Sequence, residues 1–156
     1  MTRYLLKLRK QKAINDGFYE RVRPCGSQPG RMYGLPKVHK ESHPLRPICS
    51  SVGAYNYRLA SELATILSPL ACNHYTIKNT FEFVKELSNS NSASSVLASF
   101  DVCNLFTNIP IEETFEIALN YAFVDRKKFN CLSRTQFTKL LKIASTETHF
   151  LFNNQM

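Results

Sequence analysis

The chain has 156 residues, of which 44% are hydrophobic, so it can form one folded domain and is not a disordered tail. Residues 1–58 hold twelve Lys/Arg and three Asp/Glu, whereas residues 59–156 hold eight and nine, and this asymmetry favours nucleic acid or phosphates as the partner of the first third over a merely solvated basic surface. The sequence lacks a secretory signal, an ~18-residue apolar span and any CxxC pair among its five cysteines, so we expect an intracellular, nuclear or cytoplasmic protein with free thiols and no membrane contact.

The first third of the chain alternates basic stretches with turn-forming residues. Residues 1–15 predict a short helix or an arm. Residues 23–36 hold three Pro and three Gly, which is typical of a loop, with a strand beginning at "YGL". Residues 37–53 predict two short strands around a turn at Glu41 to His43. Pro44 and Pro47 would confine such strands to the edge of a sheet or to irregular pairing.

Two histidines in this region have the spacing of half a zinc site. His39 and His43 form an H-x3-H pair, and Cys25 lies upstream. A second cysteine next to Cys25 is missing, so the number of ligands argues against zinc.

Four stretches have apolar residues at helical spacing. They are 55–70 (Leu59, Leu63, Ile66, Leu67, Leu70), a helix capped by Asn79 or Thr80 (Phe81, Val84, Leu87 on its buried face), 110–124 (Ile111, Phe115, Ala118, Leu119) and 133–147, which opens with Ser133 and Gln136 in capping-box spacing. Between the second and third helices, "SNSNSASS" predicts a loop.

Residues 96–103 are an apolar run that predicts a buried strand, and it contains Asp101. A buried lone carboxylate is costly, so a metal ion, a basic partner or a helix N-terminus should neutralise it, unless the strand ends there in solvent. Residues 148–153 alternate like a strand and are its expected partner. The hairpin signal Asn153–Asn154 has no return strand after it, so we expect that the chain is cut short.

Three motifs follow one another in the chain: "YGLPKVHK", "PLRPICSSVGAYNYRLASELATILSPL" and "SFDVCNLFTNIPIEE". Together they resemble the reverse transcriptase domain of Penelope-like retroelements, the group whose polymerase is closest to telomerase. The resemblance covers about residues 30 to 156. It implies an α+β fold that is a partial right-hand polymerase with an incomplete palm sheet. Residues 1–29 would be a basic N-terminal segment, 30–95 the fingers, and 96–156 the first part of the palm.

By this resemblance, the first two motifs are those of the fingers. Lys37 and Arg46 would contact the triphosphate of the incoming dNTP, since three phosphates need several cations. Lys40 would contact the template or a phosphate. The alternative for both lysines is a solvated basic hairpin.

The third motif would be the first palm motif. Asp101 would bind two Mg²⁺ (or Mn²⁺) ions, the carbonyl of Val102 would be a further metal ligand, and Phe106 would stack under the sugar and reject a 2′-hydroxyl. The alternatives are a solvated or turn-capping Asp101 and a core aromatic at Phe106.

The sequence also departs from the family. The family continues to a glycine motif and a Tyr/Phe-x-Asp-Asp hairpin, and the only aspartates here are Asp16, Asp101 and Asp125. We therefore predict a fragment of a retrotransposon RNA-directed DNA polymerase, with RNA template, DNA primer and dNTP as the family's partners, that is inactive as this chain. The alternatives are a basic nucleic-acid-binding remnant without catalysis, or no function.

Overall fold

The computed structural model describes residues 1–89, 96, 98–103, 105–124, 128–129 and 131–153. This part of the chain has a mixed α+β architecture with a small three-stranded sheet. Its helices are α1 (Thr2–Lys10), α2 (Asp16–Val22), α3 (Tyr57–Leu67), α4 (Thr80–Asn89), α5 (Leu105–Asn108), α6 (Ile111–Ala122) and α7 (Arg134–Ser145), and a 3₁₀ turn at Ser68–Leu70 extends α3. Its strands are β1 (Gly30–Pro36), β2 (Leu45–Ser50), β3 (Lys128–Phe129), β4 (Leu132–Ser133) and β5 (Phe150–Leu151). None of the described helices is both long and apolar enough to cross a bilayer.

The hydrophobic core lies among α1, α2, α3, α6 and α7, and the sheet is outside it. The largest fully buried side chains are Phe137, Leu5, Leu8, Leu59, Leu63, Leu119, Leu132, Leu140 and Val22. Residues from both ends of the chain therefore share one core, and the basic N-terminal residues form a packed helix instead of a free arm. The capping box predicted for α7 is confirmed, since the Ser133 and Gln136 side chains each accept a hydrogen bond from the other residue's backbone N–H.

Helix α2 was not predicted from the sequence. Asn15 caps it, because its Oδ1 accepts a hydrogen bond from the backbone N–H of Phe18 at 2.7 Å. Phe18 and Val22 are buried one turn apart. An Asn cap followed by two apolar residues at i, i+4 spacing was the available signal.

The sheet has the order β2-β1-β5, with β2 antiparallel and β5 parallel to β1. The first strand begins at Gly30, three residues before the start predicted at "YGL". Residues 37–44, where the first strand of the pair in 37–53 was predicted, form the turn instead. Pro47 does lie on an edge strand, as predicted. Pro47 pairs with Gly34. Hydrogen-bonded and non-hydrogen-bonded pairs alternate along an antiparallel ladder, and the Lys37 N–H donates to the Pro44 carbonyl at 2.9 Å. Counting back from this bonded pair, Gly34–Pro47 is a non-hydrogen-bonded pair. The ring nitrogen of Pro47 therefore faces away from β1, where no donor is needed.

The predicted strand at 96–103 is wrong. The described residues of this segment have no strand partner, and Val96 and Phe100 are 93% and 95% exposed. Its partner was expected in residues 148–153, and the strand that forms there, Phe150–Leu151, pairs with β1 instead. An apolar run has strand propensity, but a strand also needs a ladder of hydrogen bonds to a neighbour, and in the described chain nothing supplies one.

Helix α4 forms where predicted, but its predicted apolar face is not buried. The Asn79 side chain caps it by accepting from the Glu82 N–H at 2.9 Å. Phe81, Val84 and Leu87 are 88%, 54% and 37% exposed. Periodicity shows which side of a helix is apolar, but the tertiary fold decides whether anything packs on it.

A buried amide joins α3 to the end of α7. Asn56 is 2% exposed, and its Nδ2 donates to the carbonyls of Ile143 (3.0 Å), Ala144 (3.3 Å) and Glu147 (3.2 Å). Beside it, the Tyr55 hydroxyl donates to the Glu147 carbonyl at 2.8 Å. Since β5 follows within a few residues and pairs with β1, this contact fixes the chain that flanks the base of the β1–β2 hairpin.

Candidate functional site

The β1–β2 hairpin holds all three of the fingers residues that the motifs single out. Its register pairs Arg31 with Ser50, Tyr33 with Ile48, and Leu35 with Arg46. The hydrogen bond from Lys37 N to Pro44 O continues the same register by one pair beyond β1. Residues directly opposite one another in a ladder share a face, and alternate residues along a strand do too.

This register defines a front face of the hairpin. Its members are Arg31, Tyr33, Leu35, Lys37, Pro44, Arg46, Ile48 and Ser50. Lys37 and Arg46 are diagonal neighbours near the tip, a relation that separates Cα atoms by about 7–8 Å and lets long side chains meet. The structure thus brings the two predicted triphosphate ligands together.

Lys40 lies in the turn instead of on the ladder. Its N–H donates to the Lys37 carbonyl at 2.9 Å, and its own carbonyl accepts from the His43 N–H at 3.1 Å. Ser42 and His43 have φ of 64° and 44°, the left-handed region that non-glycine residues rarely adopt. The predicted turn at Glu41 to His43 is therefore confirmed as the end of a longer connection.

The cations of the hairpin are available for an anion. Arg46 and Lys40 are exposed, and Lys37 is partly buried. In the described part of the chain, none of the three makes an ion pair, whereas Arg9, Arg21, Arg23 and Arg134 each pair with a carboxylate. Because no carboxylate neutralises them, the three hairpin cations raise the local potential for phosphate.

Asp101 lies in an exposed, irregular segment and not at the end of a buried strand. Val102 beside it is 59% exposed. Water therefore solvates the Asp101 carboxylate here, and the cost of burial that the predicted strand implied does not arise. No hydrogen bond or ion pair joins Asp101 to a hairpin cation among the described residues.

A side-chain hydrogen bond closes the turn that follows Asp101. The Asn108 side chain donates to the Cys103 carbonyl at 2.8 Å and closes the loop into α5. The backbone of Phe106 lies within α5, but its side chain, the predicted sugar gate, lies outside the described part of the structure. Pro110, the first residue of the helix predicted over 110–124, is the N-cap of α6, so the helix begins one position later, at Ile111, with Glu112 and Glu113 in its first turn.

The described residues do not by themselves fit a pair of metal ions. Asp101 and the Val102 carbonyl supply oxygen ligands from one segment, whereas a metal pair needs ligands on both sides. No cluster of three or more His, Cys, Asp or Glu side chains occurs among the residues that the structure describes.

The residues of the half zinc pattern are separated by their roles in the fold. His39 and His43 are exposed in the hairpin turn. Cys25 lies before β1, and its Sγ accepts from Arg58 Nη1 at 2.9 Å.

Sequence reasoning missed two residues of the front face. Arg31 precedes the first motif and Tyr33 is the first residue of it. Neither was given a role, and both are exposed. Their common parity with Lys37 was visible in the sequence. It predicted no shared face, because a strand starting at "YGL" and a separate pair of strands in 37–53 were expected, and the face that a residue occupies follows from the register.

The chain was also compared with known proteins. No family model, no curated protein and no solved structure matches it.

Proposed function

We propose that this chain comprises the fingers and the first part of the palm of a reverse transcriptase resembling those of Penelope-like retroelements. In that function the β1–β2 hairpin binds the triphosphate of a dNTP through Lys37 and Arg46, with Lys40 on the template or a phosphate. The observation that supports the proposal most is the hairpin register. It puts the two motif cations on one face beside each other, free of carboxylates among the described residues.

The charge argument is independent of the motifs. Residues 30–50 hold four Lys/Arg and one Asp/Glu. A triphosphate has several negative charges on adjacent phosphates, so cations that converge from neighbouring strands bind it better than cations spread over a surface. Arg46 can engage phosphate oxygens in pairs through its planar guanidinium, and Lys37 adds a point charge.

Binding of a fluorescently labelled dNTP with Mg²⁺ tests the proposal directly. Lys37→Ala and Arg46→Ala should each raise the Kd about tenfold, because a hydrogen bond between charged groups contributes about 1.5–3 kcal/mol. Lys7→Ala and Lys12→Ala are matched controls, since each removes one exposed charge away from the hairpin. Equal losses in all four variants would show that the nucleotide responds to net charge and would end the proposal.

The second candidate is a nucleic-acid-binding module without catalysis. The excess of positive charge in residues 1–58 favours it, because that charge also lies on α1, outside the hairpin. Under this function an oligonucleotide binds while a free dNTP does not. The hairpin variants then weaken the oligonucleotide more than the Lys7→Ala and Lys12→Ala controls do.

A further inference from the structure

The front face of the hairpin continues from the phosphate-binding tip toward the base. On β1, Tyr33 lies two residues from Leu35, and Arg31 lies two residues further, each step spanning about 6.8 Å. Tyr33 is 47% exposed, and its ring and hydroxyl make no aromatic, cation–π or hydrogen-bond contact with a described residue. An exposed tyrosine ring is thus presented on a sheet face between cations.

The neighbours of Arg31 leave its charge uncompensated. Ser50 lies opposite it on β2 and Leu151 opposite it on β5, so the two flanking strand positions hold no carboxylate. Arg31 itself is exposed and makes no ion pair with a described residue. The base half of the face therefore offers one aromatic ring and one free cation.

We infer that Tyr33 and Arg31 form a platform for single-stranded nucleic acid, in which a base stacks on the Tyr33 ring and an adjacent phosphate contacts Arg31. Each nucleotide has one base and one phosphate, so a ring beside a cation matches the repeat of a strand. A base paired within a duplex already stacks on its neighbours and cannot use the ring. The absence of acidic residues from the front face favours this partner over a protein segment.

The inference rests on the proposed function in one respect: it takes the hairpin as the part that contacts nucleic acid. Tip and base of the face then have separate ligands. Lys37 and Arg46 bind a triphosphate, and Tyr33 and Arg31 bind a strand. Loss of labelled-dNTP binding and loss of strand binding can therefore be measured separately.

Fluorescence anisotropy with a labelled 12-nucleotide single strand tests the platform. Stacking on an aromatic residue is worth about 5- to 150-fold in affinity, and we expect the lower end for Tyr33→Ala because the ring is half exposed. Tyr33→Phe keeps the ring and should bind within about twofold of the unmodified chain. Tyr75→Ala is the matched control, since Tyr75 is 81% exposed outside the sheet.

An abasic strand and a salt series distinguish loss of stacking from poor folding of a variant. On an abasic strand with the same phosphates, the unmodified chain and Tyr33→Ala should bind equally. Arg31→Ala should lower the slope of log affinity against log salt by about 0.7, whereas Tyr33→Ala should leave the slope unchanged. RNA and DNA strands run in parallel identify which of the two is held.

Three results would overturn the platform. These are no binding to any single strand, a Tyr33→Ala loss that persists on the abasic strand, or a Tyr33→Phe loss as large as that of Tyr33→Ala. If instead the Tyr33 effect is present but Lys37→Ala and Arg46→Ala leave dNTP binding unchanged, the platform stands and the proposed triphosphate site fails.

Discussion

Asn56 offers the sharpest test of how the body of the protein supports the hairpin. Its two amide N–H donors face three carbonyls at 3.0–3.3 Å, and two of these, from Ile143 and Ala144, belong to the last turn of α7 and have no acceptor role within the helix. Asn56→Leu keeps the number and branching of the side-chain heavy atoms and removes both donors. Two hydrogen bonds at about 0.5–1.5 kcal/mol each give a loss of about 1–3 kcal/mol.

Urea unfolding followed by circular dichroism measures this loss. We expect a lower midpoint with an unchanged m-value, and a melting temperature lower by about 2–12 °C, since 1 kcal/mol shifts a domain of this size by about 2–4 °C. Asn120→Leu removes an exposed amide whose Oδ1 accepts one hydrogen bond from Arg134 at 3.0 Å, and because this bond is exposed to solvent the change should alter stability by less than about 0.5 kcal/mol. If Asn56→Leu were as stable as Asn120→Leu, the amide would not hold α7 to α3.

Asn56→Asp separates the loss of hydrogen bonds from the loss of shape. A carboxylate at this position turns oxygen atoms toward the carbonyl oxygens, and burial raises its pKa above the unfolded value. The stability of this variant should therefore be greatest at low pH and fall as the pH rises through the folded pKa. At pH 7 Asn56→Asp should be less stable than Asn56→Leu. A constant difference between these two variants from pH 4 to pH 7 would contradict the reasoning.

Three further predictions concern the sheet, the Tyr55 hydroxyl and the motif aspartate. Gly30→Ala should destabilise the protein in urea unfolding, because the new Cβ would lie 2.7 Å from the Ser50 carbonyl oxygen. Gly17→Ala in α2 is the control, since its new Cβ would lie 3.6 Å from the nearest side-chain atoms, and this variant should be neutral or stabilised by up to about 1 kcal/mol. Burial, and then the hydrogen bond to Glu147, raises the pKa of Tyr55 above its unfolded value. The contribution of the Tyr55 hydroxyl to stability is therefore present below about pH 10 and is lost as the pH rises through the folded pKa. The alkaline fall in stability should be smaller in Tyr55→Phe than in the unmodified chain. With a primed RNA template, labelled dNTP and Mg²⁺ or Mn²⁺, this chain should incorporate no more nucleotide than the Asp101→Ala variant does, because its sequence has no Asp-Asp pair to complete a two-metal site. Nucleotide incorporation that Asp101→Ala abolishes would refute this.

The elements with local signals were predictable from the sequence. The capping box at Ser133 and Gln136 and the Asn79 cap are both observed, because each depends on residues three positions apart. The apolar spacing of Leu59 and Leu63 correctly gave the buried face of α3. Even the missed helix α2 had a local signal in Asn15 and Phe18.

The sequence also set the chemistry of the candidate site. The cations Lys37 and Arg46 and the edge position of Pro47 follow from residue types and their spacing. The alternate spacing of Arg31, Tyr33 and Lys37, which are all at odd-numbered positions, is also visible in the sequence. It predicts a shared face only once the strand is known to begin at Gly30.

Pairing and packing were decided by the tertiary structure, because they depend on residues far apart in the chain. Residues 150–151 lie in the stretch that was predicted to pair with residues 96–103, but they pair with β1, and the described part of the Asp101 segment has no ladder. The exposed face of α4 shows the same limit. An apolar pattern predicts which surface can be buried, but whether it is buried depends on the free energy of contacts that no local stretch of sequence contains.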